Sequence, residues 1–134
     1  MTLDQLTDRV WQRLLPRALL VGAAPDWPLP VRYVDAAPYE AVVLGLLPPG
    51  LLLAMPTDQV CRALLEGLPV LLWDGQPYRR AARGILLKRE LEAAQTRLLR
   101  LGAIAFGPGV RHTQQEARRL RALTGEDEPC FWAK

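Results

Sequence analysis

The chain has 134 residues, a length that suits a single domain with one hydrophobic core. Half of the residues are hydrophobic and 23% are charged, a balance that excludes a disordered tail or a collagen-like chain. Two cysteines are too few for a disulfide scaffold and indicate a reducing compartment. The formal net charge is only +3, and no figure of the composition points to one function.

The apolar segments predict neither export nor a membrane span. The N-terminus lacks the basic start and apolar run of a secretory signal. The longest apolar stretch, Ala41 to Met55, is shorter than the roughly 20 residues of a membrane helix, and Pro48, Pro49 and Gly50 interrupt it. We interpret it as a buried strand, a turn and a second apolar segment. We expect a cytoplasmic protein without a membrane partner.

Residues 1–16 are predicted to form an N-terminal amphipathic helix that precedes a single α/β domain at 17–134. The helix begins at Thr2, which forms a capping-box pattern with Gln5, and it ends before Pro16. The members of its apolar stripe recur at helical spacing. They are Leu3, Leu6, Val10 and Leu14.

Five short apolar runs predict strands. They are Arg17–Gly22, Val31–Val34, Tyr39–Leu44, Pro69–Trp73 and Ala103–Phe106. Because these runs are almost continuously apolar, they favour a parallel sheet that is covered on both faces. The sequence therefore predicts an α/β fold: a small Rossmann-like, flavoprotein-like arrangement of three layers with a mostly parallel sheet.

Three helices are predicted between and after the later strands. The first follows Thr57, ends at Gly67 and has an apolar face made of Val60, Cys61, Leu64 and Leu65. The second is the longest, Ile85 to Leu101, with an apolar stripe made of Leu87, Leu91, Ala94, Leu98 and Leu101. The last runs from a capping box of Thr113 and Glu116 to about Leu123. Residues 76–84 are predicted to be an Arg-rich connection.

The charges are unevenly distributed along the chain. Residues 1–78 carry a net charge of −3, residues 79–121 carry +8 and residues 122–134 carry −2. Nucleic-acid binding is one interpretation of the basic block. However, only Tyr78 is interleaved with the arginines, so we favour a solvated face or a docking surface for an acidic partner.

Residues able to do chemistry are few. The chain has no serine and one histidine, and Cys61 with His112 makes a weak case for a catalytic pair. Asp58 and Asp74 follow predicted strands, where ligands bind in open α/β sheets, although each also fits a helix start or a turn. The glycines of residues 45–50 match neither a Walker loop nor a dinucleotide fingerprint. We predict no catalytic residues and no metal site.

The order of motifs between Tyr39 and Phe106 resembles a known family. The motifs are an Asp before a helix, a helix-to-strand junction at Leu64–Val70, a Gly-x-x-Tyr-Arg loop at Gly75–Arg79, and a long helix that closes in Leu-x-x-Gly at Gly102. This order resembles the small flavoprotein-like accessory proteins of ethanolamine- and propanediol-utilisation loci, which encode bacterial microcompartments.

The resemblance implies two functions. The first is a non-enzymatic accessory or assembly protein that docks on a microcompartment shell or cargo protein through the N-terminal apolar stripe. The sequence leaves open whether the chain also forms a homo-oligomer. The alternative is an FMN-binding protein or enzyme related to flavin-dependent cysteine decarboxylases. Its cofactor would contact Gly45, Gly50, Asp58, Gly75, Tyr78 and Arg79. Related flavoproteins carry Ser, Thr or Asn in the loop after the third strand, where this chain has Leu46–Gly50.

Overall fold

The computed structural model describes residues 2–3, 15–81 and 83–124. Most of the predicted N-terminal helix, with Leu6, Val10 and Leu14, lies outside the described residues, and so does the tail at 125–134. Leu3 is described and its side chain is exposed.

The described residues contain one five-stranded sheet in which every neighbouring pair of strands is parallel. Its order is β2-β1-β3-β4-β5. The strands are β1 (Arg17–Val21), β2 (Arg32–Val34), β3 (Ala41–Leu44), β4 (Val70–Trp73) and β5 (Ile104–Phe106). The predicted α/β fold with a parallel sheet is confirmed, and all five strands form where the apolar runs predicted them.

In the described ranges, five helices follow or connect the later strands. They are α1 (Pro49–Leu53), α2 (Asp58–Leu65), α3 (Tyr78–Ala81), α4 (Ile85–Arg100) and α5 (Gln114–Thr124). The described connections from β1 to β2 and from β2 to β3 contain no helix.

The capping box of α5 is confirmed, because the Thr113 N–H donates to Glu116 Oε1 at 3.0 Å and the Glu116 N–H donates to Thr113 Oγ1 at 3.1 Å.

Alternating side chains of the strands build two apolar layers, one on each face of the sheet. Val42 and Leu44 point to the first layer, and Ala41 and Val43 point to the second. Helices α1, α2 and α4 cover the first layer with Leu52, Val60, Ala63, Leu91, Ala94 and Leu98. Trp27, Leu29, Leu120 and Leu123 cover the second layer. The result is the expected three-layer arrangement, and β3 is its most deeply buried strand.

Two connections carry helices that the sequence did not predict. The second part of the apolar stretch 41–55 is helix α1, which starts at Pro49 because proline is compatible with the first turn of a helix. The Arg-rich connection contains the four-residue helix α3.

Three residues assigned to buried helix faces are exposed, and these assignments were wrong. Leu65 is 87% exposed, and Leu87 and Leu101 are also exposed. Leu65 lies on the side of α2 opposite the buried Val60 and Ala63. Leu87 and Leu101 lie in the first turn and just beyond the last turn of α4, outside its buried residues.

Arg17 and Glu40 join the starts of β1 and β3. The Arg17 guanidinium donates to Glu40 Oε1 at 2.8 and 3.3 Å, and the Arg17 N–H donates to Oε2 at 2.5 Å. These bonds favour the carboxylate and hold the pKa of Glu40 below its usual range. The ion pair of Arg17 and Glu40 aligns β1 with β3, and the described chain between these strands contains no helix.

Tyr33 on β2 carries a buried hydroxyl that has no hydrogen-bond partner among the described residues. The same burial raises the pKa of this phenol. A buried hydroxyl without a partner costs about 1–3 kcal/mol.

We therefore expect Tyr33→Phe to raise the free energy of unfolding by about 1 kcal/mol, because it removes the unpaired hydroxyl and keeps the ring. Urea denaturation followed by circular dichroism measures this change. Tyr39→Phe, at a partly exposed residue, is the control and should shift stability by less than about 0.5 kcal/mol. A loss of stability in Tyr33→Phe would mean that the hydroxyl has a partner.

No helix in the described part of the chain combines the length and the apolar character needed to cross a membrane.

Candidate functional site at the carboxyl edge of the sheet

The strand order creates one position where the chain leaves neighbouring strands toward opposite faces. After β1 the chain passes to the second layer through Trp27, and after β3 it passes to the first layer through Leu47 and Leu52. In sheets of this order, ligands such as FMN bind in the crevice at this switch point. The loops 22–26 and 45–49 are therefore the first place to look for a site.

Backbone hydrogen bonds close this crevice. The Ala23 N–H donates to the Leu46 carbonyl at 3.1 Å, and the Leu46 N–H donates to the Ala23 carbonyl at 2.8 Å. The two loops can approach this closely because a glycine precedes Ala23 and another precedes Leu46. A Cβ on Gly45 would lie 2.1 Å from the Ala23 oxygen, and one on Gly22, which has φ of +81°, would lie 2.4 Å from the Leu46 oxygen.

Residues 45–49, which follow β3, have no backbone donor left for a phosphate. The N–H groups of Gly45, Leu46 and Leu47 bond to Val21, Ala23 and Gln76, respectively. Pro48 and Pro49 have no N–H. Because flavin phosphates are held by such donors in this fold class, these residues do not fit FMN at the switch point. FMN binding stays a prediction that the geometry of this loop does not favour.

Gln76 connects the loop after β3 with the loop after β4. Its side chain is almost fully buried. Its Nε2 donates to the carbonyls of Gly45 and Trp73 at 2.8 and 2.9 Å, and its Oε1 accepts from the Leu47 N–H at 3.0 Å. A single amide thus satisfies three backbone groups at the carboxyl edge, and it holds both loops in place.

Beside this closed region lies an open cleft of about 470 Å³. We call it the Trp73 cleft. It lies among the loops that follow β1, β3, β4 and β5, and its chemically distinctive lining residues are Asp26, Trp73, Asp74, Arg79 and Arg80. Its volume falls in the range of small-molecule sites, about 300–1,000 Å³.

The indole of Trp73 is fixed in this cleft. Its Nε1–H donates to the Gly75 carbonyl at 3.0 Å. The rings of Trp27 and Phe106 contact it with centroid distances of 5.8 and 5.4 Å. Any side chain at Gly75 or Gly107 would come within 3.1 Å of the indole. The ring is therefore held by neighbours on several sides and forms a rigid apolar wall.

The charged groups of the cleft are loosely held. Arg79 Nη2 lies 3.8 Å from Asp74 Oδ1, too far for a hydrogen bond, and the two side chains are 47% and 40% exposed. Arg79 also lies 3.4 Å from Oε1 of the buried Gln95, which accepts the hydroxyl proton of Tyr78. Such an exposed pair contributes little to stability, so its members remain available to a ligand.

The structure separates the residues predicted to hold FMN. Gly75 and Arg79 line the Trp73 cleft, whereas Tyr78 is buried against Gln95. Gly45 packs against Ala23. The other two do not line the cleft: Gly50 lies in α1, and Asp58 is exposed in the first turn of α2.

Sequence reasoning missed Asp26, Trp73 and Pro108, which line the cleft and come from separate segments of the chain. Gln76 stood inside an apparently irregular connection. The one available signal was that all of these segments follow predicted parallel strands, whose carboxyl ends share an edge.

Cys61 and His112 bond to different elements. The Cys61 thiol faces the Pro56 carbonyl at 3.9 Å, and His112 Nε2 contacts the Ala105 carbonyl at 2.8 Å. Within the described ranges, no group of three or more His, Cys, Asp and Glu side chains is placed to hold a metal ion.

A second surface lies at the start of α4. The helix has 16 residues and is about 24 Å long, whereas the four residues of β4 extend about 13 Å. The first fully buried residue is Leu91. We call the six residues before it, 85–90, the overhang; Ile85 is 68% exposed, Leu86 is 77% exposed, and Leu87 is also exposed.

Basic residues flank the apolar residues of the overhang along the chain. Lys88 and Arg89 belong to it, and Glu90 is its one acidic residue. The segment leading into the helix adds Arg83. The overhang therefore combines an apolar centre with a basic rim.

Comparison of the chain with protein-family models, with curated proteins and with solved structures gives no match. No relative therefore supplies a function, and the geometry of the described residues has to carry it.

Proposed function

We propose that this chain is a non-enzymatic accessory protein that docks on an acidic partner protein through the overhang. The observation that carries the proposal is the exposed apolar group of Ile85, Leu86 and Leu87 inside a basic rim. The resemblance of residues 39–106 to microcompartment accessory proteins suggests where to look for the partner, namely among the shell and cargo proteins of a bacterial microcompartment.

The energetics favour a reversible contact. Burying one Leu or Ile side chain contributes about 1.5–3 kcal/mol, so three contribute about 5–9 kcal/mol. Association itself costs about 4–15 kcal/mol in lost freedom. The apolar centre alone therefore gives weak binding, and attraction between the basic rim and an acidic surface supplies the orientation and the association rate.

The charges of the overhang disfavour a second copy of this chain as its binding partner. Two overhangs packed on each other would bring two basic rims together, and like charges across an interface are unfavourable. A helix or groove with an apolar centre and Asp or Glu around it fits both features. Docking of an amphipathic helix on such a surface is a common mode of recognition.

The N-terminal stripe is a second proposed docking element. Leu3 is exposed, and the other three residues of the stripe lie outside the described residues. The stripe and the overhang are independent segments, so variants can test them separately.

The test is the location of the full chain, fused to a fluorescent protein, in a cell that forms microcompartments. We expect fluorescent foci that coincide with a labelled shell protein. Leu86→Gln with Leu87→Gln should make the fluorescence diffuse, because the apolar centre of the overhang is lost. The matched control is Leu65→Gln, since Leu65 on α2 is more exposed than either leucine and lies outside the overhang.

A parallel variant, Leu6→Gln with Leu14→Gln, reports on the N-terminal stripe. Foci lost only in the overhang variant assign docking to the overhang, and foci that also shrink in the stripe variant assign it to both segments. A fusion that is diffuse without any substitution, or foci unaffected by the overhang variant, would overturn the proposal.

A further inference from the structure

We propose that the Trp73 cleft binds a small zwitterion, a molecule with one ammonium group and one carboxylate or phosphate group. This site is separate from the overhang and does not depend on docking. Nothing in the proposed accessory role requires it. The inference rests on the charges of the cleft, on how loosely they are paired and on the fixed indole beside them.

The lining of the cleft carries two charges of each sign. Arg79 and Arg80 are positive, and Asp26 and Asp74 are negative. A ligand with only an anionic group would bring its charge close to two carboxylates, and a ligand with only a cation would face two guanidinium groups. A zwitterion satisfies both signs, because its acid group pairs with the arginines and its ammonium pairs with the aspartates.

A ligand can replace the existing contact between Arg79 and Asp74, because that ion pair is weak. Arg79 and Asp74 approach only to 3.8 Å, and both side chains are in contact with water. The guanidinium of Arg79 has five donors, of which a long contact of 3.4 Å to Gln95 uses one. The Arg80 N–H donates to the Pro77 carbonyl at 3.2 Å, and its guanidinium has no hydrogen-bond partner among the described residues. Most donors in the cleft are therefore free for an acid group.

Trp73 favours the ammonium end of the ligand. The indole presents an electron-rich face, which attracts a cation. Its hydrogen bond to Gly75 and its contacts with Trp27 and Phe106 fix the ring before any ligand arrives. The bridge between Ala23 and Leu46 closes the neighbouring crevice, so the cleft does not continue between the ends of β1 and β3.

Nuclear magnetic resonance of the full ¹⁵N-labelled chain tests the proposal. The chain has four tryptophans, and Trp73→Phe assigns the Trp73 indole signal by its disappearance. The probes are γ-aminobutyrate, 3-aminopropylphosphonate, inorganic phosphate and butylamine, titrated at low ionic strength. They represent a carboxylate zwitterion, a phosphonate zwitterion, an anion alone and a cation alone.

We expect at least one zwitterion to shift the Trp73 signal to saturation and to bind about tenfold more tightly than phosphate or butylamine. Whichever zwitterion binds more tightly identifies the acid group. Arg79→Gln and Asp74→Asn should each weaken binding about tenfold, whereas Arg62→Gln, an exposed arginine on α2, should not.

Three results would overturn the proposal: no saturable shift with either zwitterion, equal affinity for phosphate or butylamine, or unchanged affinity in both cleft variants. The first two use the chain without substitutions, so they stand even where a variant fails to fold.

Discussion

Replacing Gln76 with leucine is expected to lower the free energy of unfolding by about 3–5 kcal/mol. The substitution keeps the volume roughly constant but leaves the Leu47 N–H and the carbonyls of Gly45 and Trp73 without their partner at the carboxyl edge. Buried backbone groups without partners are among the most costly defects in a fold. Because domains are stable by only about 5–15 kcal/mol, this one loss removes a large part of the total.

Urea denaturation followed by circular dichroism measures the effect, and two variants control it. Gln59→Leu, at an exposed site of α2, should change the stability by less than about 0.5 kcal/mol. Gln76→Glu keeps the shape of the side chain but replaces both donors with an acceptor that faces two carbonyl oxygens. If Gln76→Glu were as stable as the unsubstituted chain, hydrogen bonding would not be the role of this residue.

Gly45→Ala is expected to destabilise the protein by about 3 kcal/mol and to separate the two loops at the switch point. The added Cβ would lie 2.1 Å from the Ala23 oxygen, a backbone atom that cannot rotate away. The loops must therefore move apart, and the paired hydrogen bonds between Ala23 and Leu46 must lengthen or break.

Amide hydrogen exchange detects this change directly. The amides of Ala23 and Leu46 should exchange faster in Gly45→Ala, while the amides of β4 should change much less. Gly50→Ala is the matched control, because nothing lies within 4 Å of its added Cβ. Since Gly50 is in helix α1, alanine there should stabilise by up to about 1 kcal/mol. Unchanged protection at Ala23 and Leu46 in Gly45→Ala would show that the loops are not held by this close approach.

Local patterns were sufficient to predict the strands and the ends of the main helices. Continuous apolar runs such as 41–44 and 70–72 are typical of strands buried on both sides. The reciprocal bonds between Thr113 and Glu116 follow from spacing alone. Features of this kind depend on residues close together in the chain, so a single sequence contains them.

Helix packing could be predicted only in part. The stripe on α4 identified Leu91, Ala94 and Leu98 correctly, but Leu87 and Leu101 continue the same spacing and are exposed. Periodicity tells which side of a helix is apolar, but not where its neighbour ends. How far the buried face of a helix extends depends on the length of the strands beneath it. Because α4 is longer than β4, its first residues extend past the strand and form the overhang.

The candidate sites were harder to predict because they combine separate segments. Arg79 and Gly75 were singled out, yet Trp73 was assigned only to a buried strand, and Gln76 carried no signal at all. A buried glutamine reveals its role only through partners 29 and 31 residues away in the chain. The microcompartment setting stays a proposal, because the local geometry alone does not provide one.

The strand order also has a consequence for how the chain folds as it emerges from the ribosome. The register pairs residues 15 apart for β1 and β2, 23 for β1 and β3, 28 for β3 and β4, and 33 for β4 and β5. Each new strand therefore joins a free edge of the sheet already formed, and no strand has to insert between two that are paired. Non-local parallel pairing is intrinsically slow, but this order lets the nascent chain complete its sheet one strand at a time during synthesis.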